Sequence, residues 1–298
     1  MISIIIPFYN EKENLPILIS DLTKVLKKIS QEWELLLVDD GSDDKYQILN
    51  IKYQKEKIIL IKHRKRLGKG EALKTGIENS KGEIIVFMDA DLQDDPKDLS
   101  KFLKKINEGY DFVNGARTKR SESIIVKTYS KIASFFLKIF FHSPYSDINC
   151  GFKAFKKETV QNFVFYGNNF RFFPLYVFYQ GYKVTEVPVI NHPRKFGKSK
   201  FGSKKLIGGI FDMITAFFLY KFSERPFYFF GTIGLFFSLI GFLLLGYLAY
   251  ERIFHNMLLY RRPILWLGVL LFIVGVQISM TGIIGELIVY LNKKNKKL

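Results

Sequence analysis

The run Phe87-Met88-Asp89-Ala90-Asp91-Leu92-Gln93 carries the most definite chemistry in the chain. Two carboxylates one residue apart, just past an apolar segment, can both reach one divalent ion, and Gln93 adds a neutral oxygen. A few hard oxygen ligands suit Mg2+ or Mn2+, completed by water and phosphate oxygens. An ion held there neutralises charge on a departing diphosphate. For an isolated acidic pair the competing reading is a solvated loop. Two basic groups complement these acids. Arg194-Lys195-Phe196-Gly197-Lys198-Ser199-Lys200 alternates fixed charge with Gly and Ser, which reads as an anion site or a juxtamembrane lipid-binding patch. Arg117, Lys119, Arg120, Lys127 and Lys131, with Ser130 among them, form the second group, whose other reading is a solvated helix face.

Positioning these side chains requires a scaffold, and the apolar pattern predicts one. Short apolar runs at residues 2–6, 34–38, 58–61 and 84–88 alternate with helical stretches near residues 14–29, 70–79 and 96–108. A further strand is expected at 111–113. Uniformly apolar strands separated by helices predict an α/β fold, an open, mostly parallel sheet with helices on both faces. Ligands of such sheets bind beyond the carboxyl ends of the strands. Polar clusters fall there: Tyr9-Asn10-Glu11, Asp39-Asp40-Gly41-Ser42 and Asp89 to Gln93. Neither GxGxxG nor GxxxxGK[ST] follows a strand, which disfavours a dinucleotide fold and a P-loop ATPase.

The C-terminal end has a different texture. Residues 227–250 and 264–285 contain no charged side chain, and each run is long enough to cross a bilayer as a helix. Two spans, at about 227–250 and 264–289, are expected to form a hairpin rich in Gly. Before them, Lys198, Lys200, Lys204 and Lys205 lead into apolar residues spaced by threes and fours, which predicts a basic amphipathic helix at the membrane interface or an ordinary core helix. Residues 1–7 lack the basic start of a signal peptide. The basic mass before Phe227 and the basic tail at 292–298 predict that both ends lie in the cytoplasm.

Composition fits this division. The 298 residues carry 45 Lys and Arg against 28 Asp and Glu, for a net +17, yet mean hydropathy is +0.06 and 16% of residues are aromatic. Disorder is excluded by the apolar content, and a disulfide scaffold by the single Cys150, expected to be a buried thiol. Residues 223–298 hold eight basic and three acidic side chains, so +12 of the +17 belongs to the first part. A surplus of this size implies anionic partners, which composition alone leaves as nucleic acid, nucleotide phosphates or acidic lipid headgroups.

Taken together, Ile5-Ile6-Pro7-Phe8-Tyr9-Asn10-Glu11, Leu37-Val38-Asp39-Asp40-Gly41-Ser42, Asp89-Ala90-Asp91-Leu92-Gln93 and Asn149-Cys150-Gly151-Phe152-Lys153 resemble the polyisoprenyl-phosphate glycosyltransferases of family 2, with the A-type fold. The resemblance implies a glycosyltransferase domain at 1–197, a juxtamembrane segment at 198–226 and a membrane hairpin at 227–291. It implies donor contacts from Pro7, Tyr9, Glu11, Asp39, Arg194 and Lys200, and a metal site at Asp89, Asp91 and Gln93. It places the acceptor phosphate at Arg117, Lys127, Ser130 and Lys131, and Asp147 with Asp91 at the reacting centre. Asp40 is left open between a site acid and one that only caps a turn, and Arg171 is a further candidate beside Phe170.

The implied reaction is inverting transfer of a sugar from a nucleotide-diphosphate sugar to a polyprenyl phosphate, undecaprenyl phosphate in the bacterial branch. Glucose is the first sugar expected, with GDP-mannose and UDP-N-acetylglucosamine as alternative donors. A phosphate monoester is mostly dianionic at neutral pH, so a general base is hardly needed and Asp147 is expected to orient the site. The resemblance further implies an integral protein of the inner membrane, an Mg2+ or Mn2+ cofactor, a homotetramer, and a basic surplus that serves two phosphate-binding segments and the membrane rim, with no nucleic acid as partner. A processive polysaccharide synthase is disfavoured, because neither Trp33 nor Trp266 stands in a Gln-x-x-Arg-Trp setting. A non-enzymatic basic adaptor would have no use for Asp89, Asp91 and Gln93.

Overall fold

The structure, a computed structural model, describes residues 1–44, 57–118, 138, 143–165, 167–194, 212–258 and 262–295. The chain divides into two compact units, Met1–Met213 and Ile214–Leu298. Among the described residues the first unit holds seven strands: β1 (Ile2–Phe8), β2 (Trp33–Asp39), β3 (Ile58–Lys62), β4 (Ile84–Phe87), β5 (Phe112–Arg117), β6 (Lys153–Lys156) and β7 (Val184–Val189). They form one sheet in the order β3-β2-β1-β4-β6-β5-β7. Pairing is parallel throughout except at β6, which runs antiparallel to both β4 and β5. The mostly parallel α/β sheet expected from the apolar runs is therefore present, with β6 and β7 added to it.

Strands covered on both faces must be apolar on both, and β1 and β2 are buried along their whole length. On one face Ile2, Ile4, Ile6, Leu35, Leu37, Val86, Val113 and Ala154 pack against Leu15, Leu18 and Leu22 of α1 (Asn14–Leu26) and Leu99, Phe102 and Ile106 of α3 (Leu99–Asn107). Because side chains alternate along a strand, Phe87, Phe112 and Phe155 point to the opposite face. There they meet Phe173 of α4 (Phe173–Tyr179), with ring centroids 4.9 Å apart for Phe155 and Phe173 and 5.4 Å for Phe112 and Phe173. Both pairs are edge-to-face, a geometry that contributes about 0.5–1.5 kcal/mol beyond burial alone. Cys150 is buried, as expected of a lone thiol.

Asp111 ties the starts of β5 and β7 to the end of β6. Its Oδ1 lies 2.6 Å from Lys156 Nζ, and its Oδ2 accepts a 2.9 Å bond from the Lys183 backbone N–H. Burial pushes this carboxyl up, but the Lys156 ammonium and the Lys183 N–H more than offset that and hold it below its ordinary value of 3.8. The stabilisation is therefore complete above the ordinary value and is lost as pH falls through the lower folded one. Asp111→Asn is expected to cost about 1 kcal/mol at neutral pH, allowing for the partial exposure of the pair. Denaturant melts should show that difference shrinking as the buffer is taken well below the ordinary carboxylate range.

The second unit is built on α5 (Pro226–His255) and α6 (Pro263–Asn295), each long and apolar enough to cross a bilayer. Their large apolar side chains are mostly exposed, Leu235 by 67% and Leu270 by 58%, which suits lipid rather than a soluble core. Contact between them runs along glycines seven residues apart, Gly234 and Gly241 facing Gly275 and Gly268. A Cβ on Gly275 would stand 2.6 Å from the Gly234 carbonyl oxygen, and one on Gly241 would stand 2.5 Å from Phe272 N. Backbones approach this closely only where side chains are missing. At the open end Glu286 Oε2 accepts a 3.3 Å bond from Phe227 N, and Lys293 Nζ lies 3.1 Å from Glu224 Oε2. Gly275→Leu is expected to destabilise the hairpin by about 1–3 kcal/mol, seen as earlier melting in detergent. Gly246→Leu, with nothing within 4 Å of the new Cβ, should melt like the parent. Residues 198–211 of the predicted amphipathic segment lie outside the described residues. Phe218–Phe222, at its end, forms a π-helical turn whose Phe218 and Phe222 rings pack on Phe229.

Candidate active site

Three strand ends and one helix start converge on a single cleft lined by Pro7, Phe8, Tyr9, Glu11, Asp40, Arg66, Lys69, Asp89, Ala90, Asp91 and Arg194. The first wall follows β1. Asn10 adopts a left-handed backbone (φ 57°), and its N–H donates to Ser42 Oγ at 2.9 Å while its Oδ1 accepts from Asp43 N at 2.9 Å. These bonds join the loops after β1 and β2. Tyr9 OH donates to Asp43 Oδ2 at 2.9 Å, and the Arg66 guanidinium lies 4.3 Å from the centre of the Tyr9 ring. A flat aromatic ring under a guanidinium, open to the cleft, is suited to a planar heterocycle.

The two adjacent acids at the end of β2 have separate work. Asp39 is fully buried, accepts a 2.7 Å bond from Ser42 N and lies 3.5 Å from Lys62 Nζ, so it fixes the turn beneath the cleft. Asp40 is the acid on the cleft wall. Its carboxylate accepts from Leu67 N at 2.8 Å and Gly68 N at 2.9 Å, immediately before α2 (Lys69–Glu78), and lies 3.1 Å from His63 Nδ1. An acid on unpaired N–H groups at a helix start satisfies donors that have no partner within the helix. It thereby sets the position of Arg66 and Lys69, two cleft residues that the sequence motifs did not single out.

The third wall is Asp89-Ala90-Asp91. Lys69 Nζ pairs with Asp89 Oδ1, and Arg194 Nη2 lies 2.6 Å from Asp91 Oδ2. Desolvation in the cleft pushes the Asp89 carboxyl up, but Lys69, with Lys153 and Arg117 farther off, brings it below its ordinary value. Leu92 is left-handed (φ 60°), which turns the chain so that Gln93 N donates to Asp91 Oδ1 at 3.2 Å. The Gln93 amide reaches the His192 carbonyl at 3.5 Å instead of lining the cleft. Beneath the turn Asp94 is buried with Oδ2 unpartnered among the described residues, and burial together with the charges of Asp89 and Asp91 pushes its carboxyl up to about 7. Gly151 closes the back of Asp89: a Cβ there would stand 2.5 Å from Asp89 Oδ2.

Beside this cleft Arg117 and Asp147 form a two-pronged pair, Nε to Oδ2 at 2.7 Å and Nη2 to Oδ1 at 3.0 Å. Of the predicted site residues, the structure gathers Pro7, Tyr9, Glu11, Asp89, Asp91 and Arg194 around one cleft and joins Arg117 to Asp147. Asp39 lies beneath the cleft and Gln93 is turned to its rim. Lys127, Ser130, Lys131 and Lys200 lie outside the described residues, as do Lys119 and Arg120. Arg171 lies over the Phe170 ring at 6.0 Å, and Lys69 lies over the same ring at 5.4 Å. The signal that marks Arg66 and Lys69 is the run Lys65-Arg66-Leu67-Gly68-Lys69-Gly70, basic and Gly-flanked at the head of a helical stretch.

The donor set suits a divalent ion. Asp89 and Asp91 present hard oxygens on one wall, each already matched by a cationic side chain, and among the described residues no larger group of Asp, Glu, His or Cys is arranged to hold a metal. Two carboxylates leave the rest of the coordination sphere to water and phosphate oxygens, the usual habit of Mg2+ sites.

Comparison with known proteins agrees with this geometry. The family described as "Glycosyl transferase family 2" matches residues 3–173. The undecaprenyl-phosphate 4-deoxy-4-formamido-L-arabinose transferase of Photorhabdus laumondii is 31% identical over 291 residues, 96% of this chain and 88% of the relative. The dodecaprenyl-phosphate galacturonate synthase of Rhizobium johnstonii is 28% identical over 294 residues, 96% of this chain and 87% of the relative. Among solved structures, glucosyl-3-phosphoglycerate synthase of Mycobacterium tuberculosis with Mn2+, UDP-glucose and phosphoglyceric acid superposes with a TM-score of 0.57 at 17% identity, over 73% of this chain and 79% of that one. That likeness concerns the fold, the A-type architecture of a sheet with its cleft at the carboxyl ends of β1, β2 and β4. The chain is a glycosyltransferase and belongs to glycosyl transferase family 2.

Proposed function

We propose that the chain transfers a sugar from a nucleoside diphosphate sugar to a polyprenyl phosphate, undecaprenyl phosphate in the first instance, at the inner face of the cell membrane. The observation that carries the reading is the opposition of charges in one cleft: Asp89 and Asp91 on one wall, with Lys69 and Arg194 held against them. Similarity over nearly the full chain to proteins named for undecaprenyl- and dodecaprenyl-phosphate substrates supports the lipid acceptor. The two apolar helices support a tether at the surface where such a headgroup lies.

Tyr9 and Arg66 hold the base, while Pro7 and Glu11 line the path to the sugar. Asp89 and Asp91 would hold Mg2+ or Mn2+, with Gln93 fixing the turn between them and the rim. Such an ion, when bound, neutralises charge on the departing nucleoside diphosphate. Lys69 and Arg194 stand beside the two acids and stabilise the same leaving group. Lys200, in the basic segment of the sequence that begins at Arg194, is assigned to the same diphosphate. Arg117, with Lys127, Ser130 and Lys131, binds the acceptor phosphate, and Asp147 orients Arg117 through its two-pronged pair. The acceptor oxygen attacks the anomeric carbon from the face opposite the diphosphate, which inverts that centre. Its phosphate has a second pKa of about 6, so the nucleophile is already charged and no side chain has to remove a proton.

Gly151→Ala should lower turnover about 10- to 100-fold with little change in melting, because a shift of about 1 Å at a reacting centre has an effect of that size. Initial rates and thermal melts on the same preparation check it. UDP-glucose remains the first donor proposed; the names of the relatives add nucleotide-activated 4-deoxy-4-formamido-L-arabinose and galacturonate to the set worth offering, beside GDP-mannose and UDP-N-acetylglucosamine. The test is to give membranes each labelled nucleotide sugar with undecaprenyl phosphate, with and without EDTA, and to extract the lipid. Label should enter the lipid from one donor and be abolished by EDTA. No labelled lipid from any donor would overturn the reading.

A further inference from the structure

Residues 143–152 connect to β6 without regular secondary structure, yet they carry Asp147 and Gly151, which touch Arg117 and Asp89 respectively. Something outside the loop has to hold it to the tolerance that such a site needs. Strand register supplies the answer. Asn114 of β5 is the pairing partner of Lys153 on β6 and of Glu186 on β7, so the three side chains stand in one row across the sheet, on the same face as Phe112 and Phe155.

Each member of the row grips the loop backbone. Glu186 Oε2 accepts from Ser146 N at 2.8 Å and Ser146 Oγ at 2.7 Å, and Oε1 accepts from Asp147 N at 3.3 Å. Asn114 Nδ2 donates to the Asp147 carbonyl at 2.9 Å and to Glu186 Oε1 at 3.0 Å, which locks the two side chains together. Lys153 Nζ donates to the Ile148 carbonyl at 3.2 Å and to the Cys150 carbonyl. Asn114 is fully buried and Lys153 is 5% exposed, so neither owes its place to solvation. A buried amino group and a buried amide on a sheet otherwise packed with Phe are costly unless bonded, and here Lys153 Nζ and Asn114 Nδ2 make their bonds while Asn114 Oδ1 has no partner among the described residues. The acceptor end takes the N–H groups of 146 and 147, and the donor end takes the carbonyls of 147, 148 and 150. That ordering matches the direction of the loop.

We propose that the row Lys153–Asn114–Glu186 is a positioning device for the reacting centre, and that Glu186 in particular sets Asp147 and, through it, Arg117. None of the three touches substrate in this assignment. The inference rests on the sugar-transfer reading for its kinetic test, but its structural content does not.

The test uses full-length protein in detergent. Glu186→Gln is compared with the parent, and both are compared again in an Asp147→Asn background, with kcat, donor KM and hydrogen exchange of residues 143–152 measured. If Glu186 acts through Asp147, Glu186→Gln lowers kcat about tenfold with donor KM within about twofold, and the further loss in the Asp147→Asn background is under about twofold. Exchange accelerates at 146–150 and stays unchanged in β1 and β2. A merely structural role gives the same tenfold loss in both backgrounds, or exchange that rises throughout the unit, and either result overturns the proposal. If Glu186→Gln does not fold, Ser146→Ala removes only the hydroxyl bond to Oε2 and carries the same cycle, with a loss of about threefold expected. Should the parent itself transfer no sugar, the functional reading fails, and the exchange pattern alone decides whether the row holds the loop.

Discussion

Asp89→Asn is expected to lower kcat/KM for sugar transfer by about a thousandfold, leaving the fold intact. The magnitude follows from what the carboxylate is asked to do. In the proposed reaction it faces a leaving group with charge developing on its phosphate oxygens, and removing a charge-stabilising group from such a place raises the barrier by about 4 kcal/mol. The variant retains the shape of the side chain, so Gly151 still packs against it. Lys69 loses its partner, but in a cleft open to solvent that loss does not unfold the unit. Rates at several Mn2+ concentrations separate the effect from weakened metal binding alone, since a binding defect would be rescued by excess metal. A variant within threefold of the parent would remove Asp89 from the site.

Arg117→Ala is the second large effect, a loss of about a hundredfold carried by the acceptor and not the donor. A guanidinium held in two places by Asp147 presents its remaining N–H donors in a fixed direction, which is how Arg recognises a phosphate. Arg117→Lys should recover only part of the loss, because an ammonium cannot make the paired contact with Asp147. The check is a pair of saturation curves, one in donor and one in acceptor, for parent and both variants. Equal damage to both curves would show that Arg117 supports the fold instead of the acceptor phosphate.

Most of the first half of the site was legible because one physical pattern repeats there. A continuous apolar run announces a strand buried on both faces, and the first polar residues after it mark the end where ligands bind. Tyr9, Glu11, Asp89 and Asp91 stand at such ends, whereas Pro7, and the donor roles of Tyr9 and Glu11, came from the family resemblance. Asp39 and Asp40 show the limit of the method: adjacent in sequence, they point to opposite sides, one under the turn and one onto the cleft wall. Only tertiary packing tells them apart. Arg66 and Lys69 escaped because they sit in a basic stretch that reads as solvated, and it is Asp40, holding Leu67 N and Gly68 N, that places them.

The strands β6 and β7 were hidden for a different reason. Lys-Ala-Phe-Lys is four residues long with charge at both ends, and Val-Thr-Glu-Val-Pro-Val carries a Glu and a Pro that suggest an exposed edge. Glu186 and Lys153 are indeed charged, but their charge is spent on the backbone of the 146–150 loop, and no local pattern predicts a partner that lies elsewhere in the chain. The hairpin was the opposite case. Its spans follow from composition alone and its richness in Gly pointed to close helix contact, while the choice of Gly234, Gly241, Gly268 and Gly275 as the seam is visible only in the packed helices.

The central claim is that this enzyme glycosylates a phosphate, relying on cations that bind the acceptor instead of a base that activates it. It is tested most directly by giving the purified protein its best donor with two acceptors that differ only in the phosphate, a polyprenyl phosphate and the corresponding polyprenol, and analysing the lipid by mass spectrometry. The expected product is the polyprenyl-phosphate sugar, with nothing formed from the polyprenol. Transfer to the free alcohol at a comparable rate, or no product from either lipid, would contradict the account.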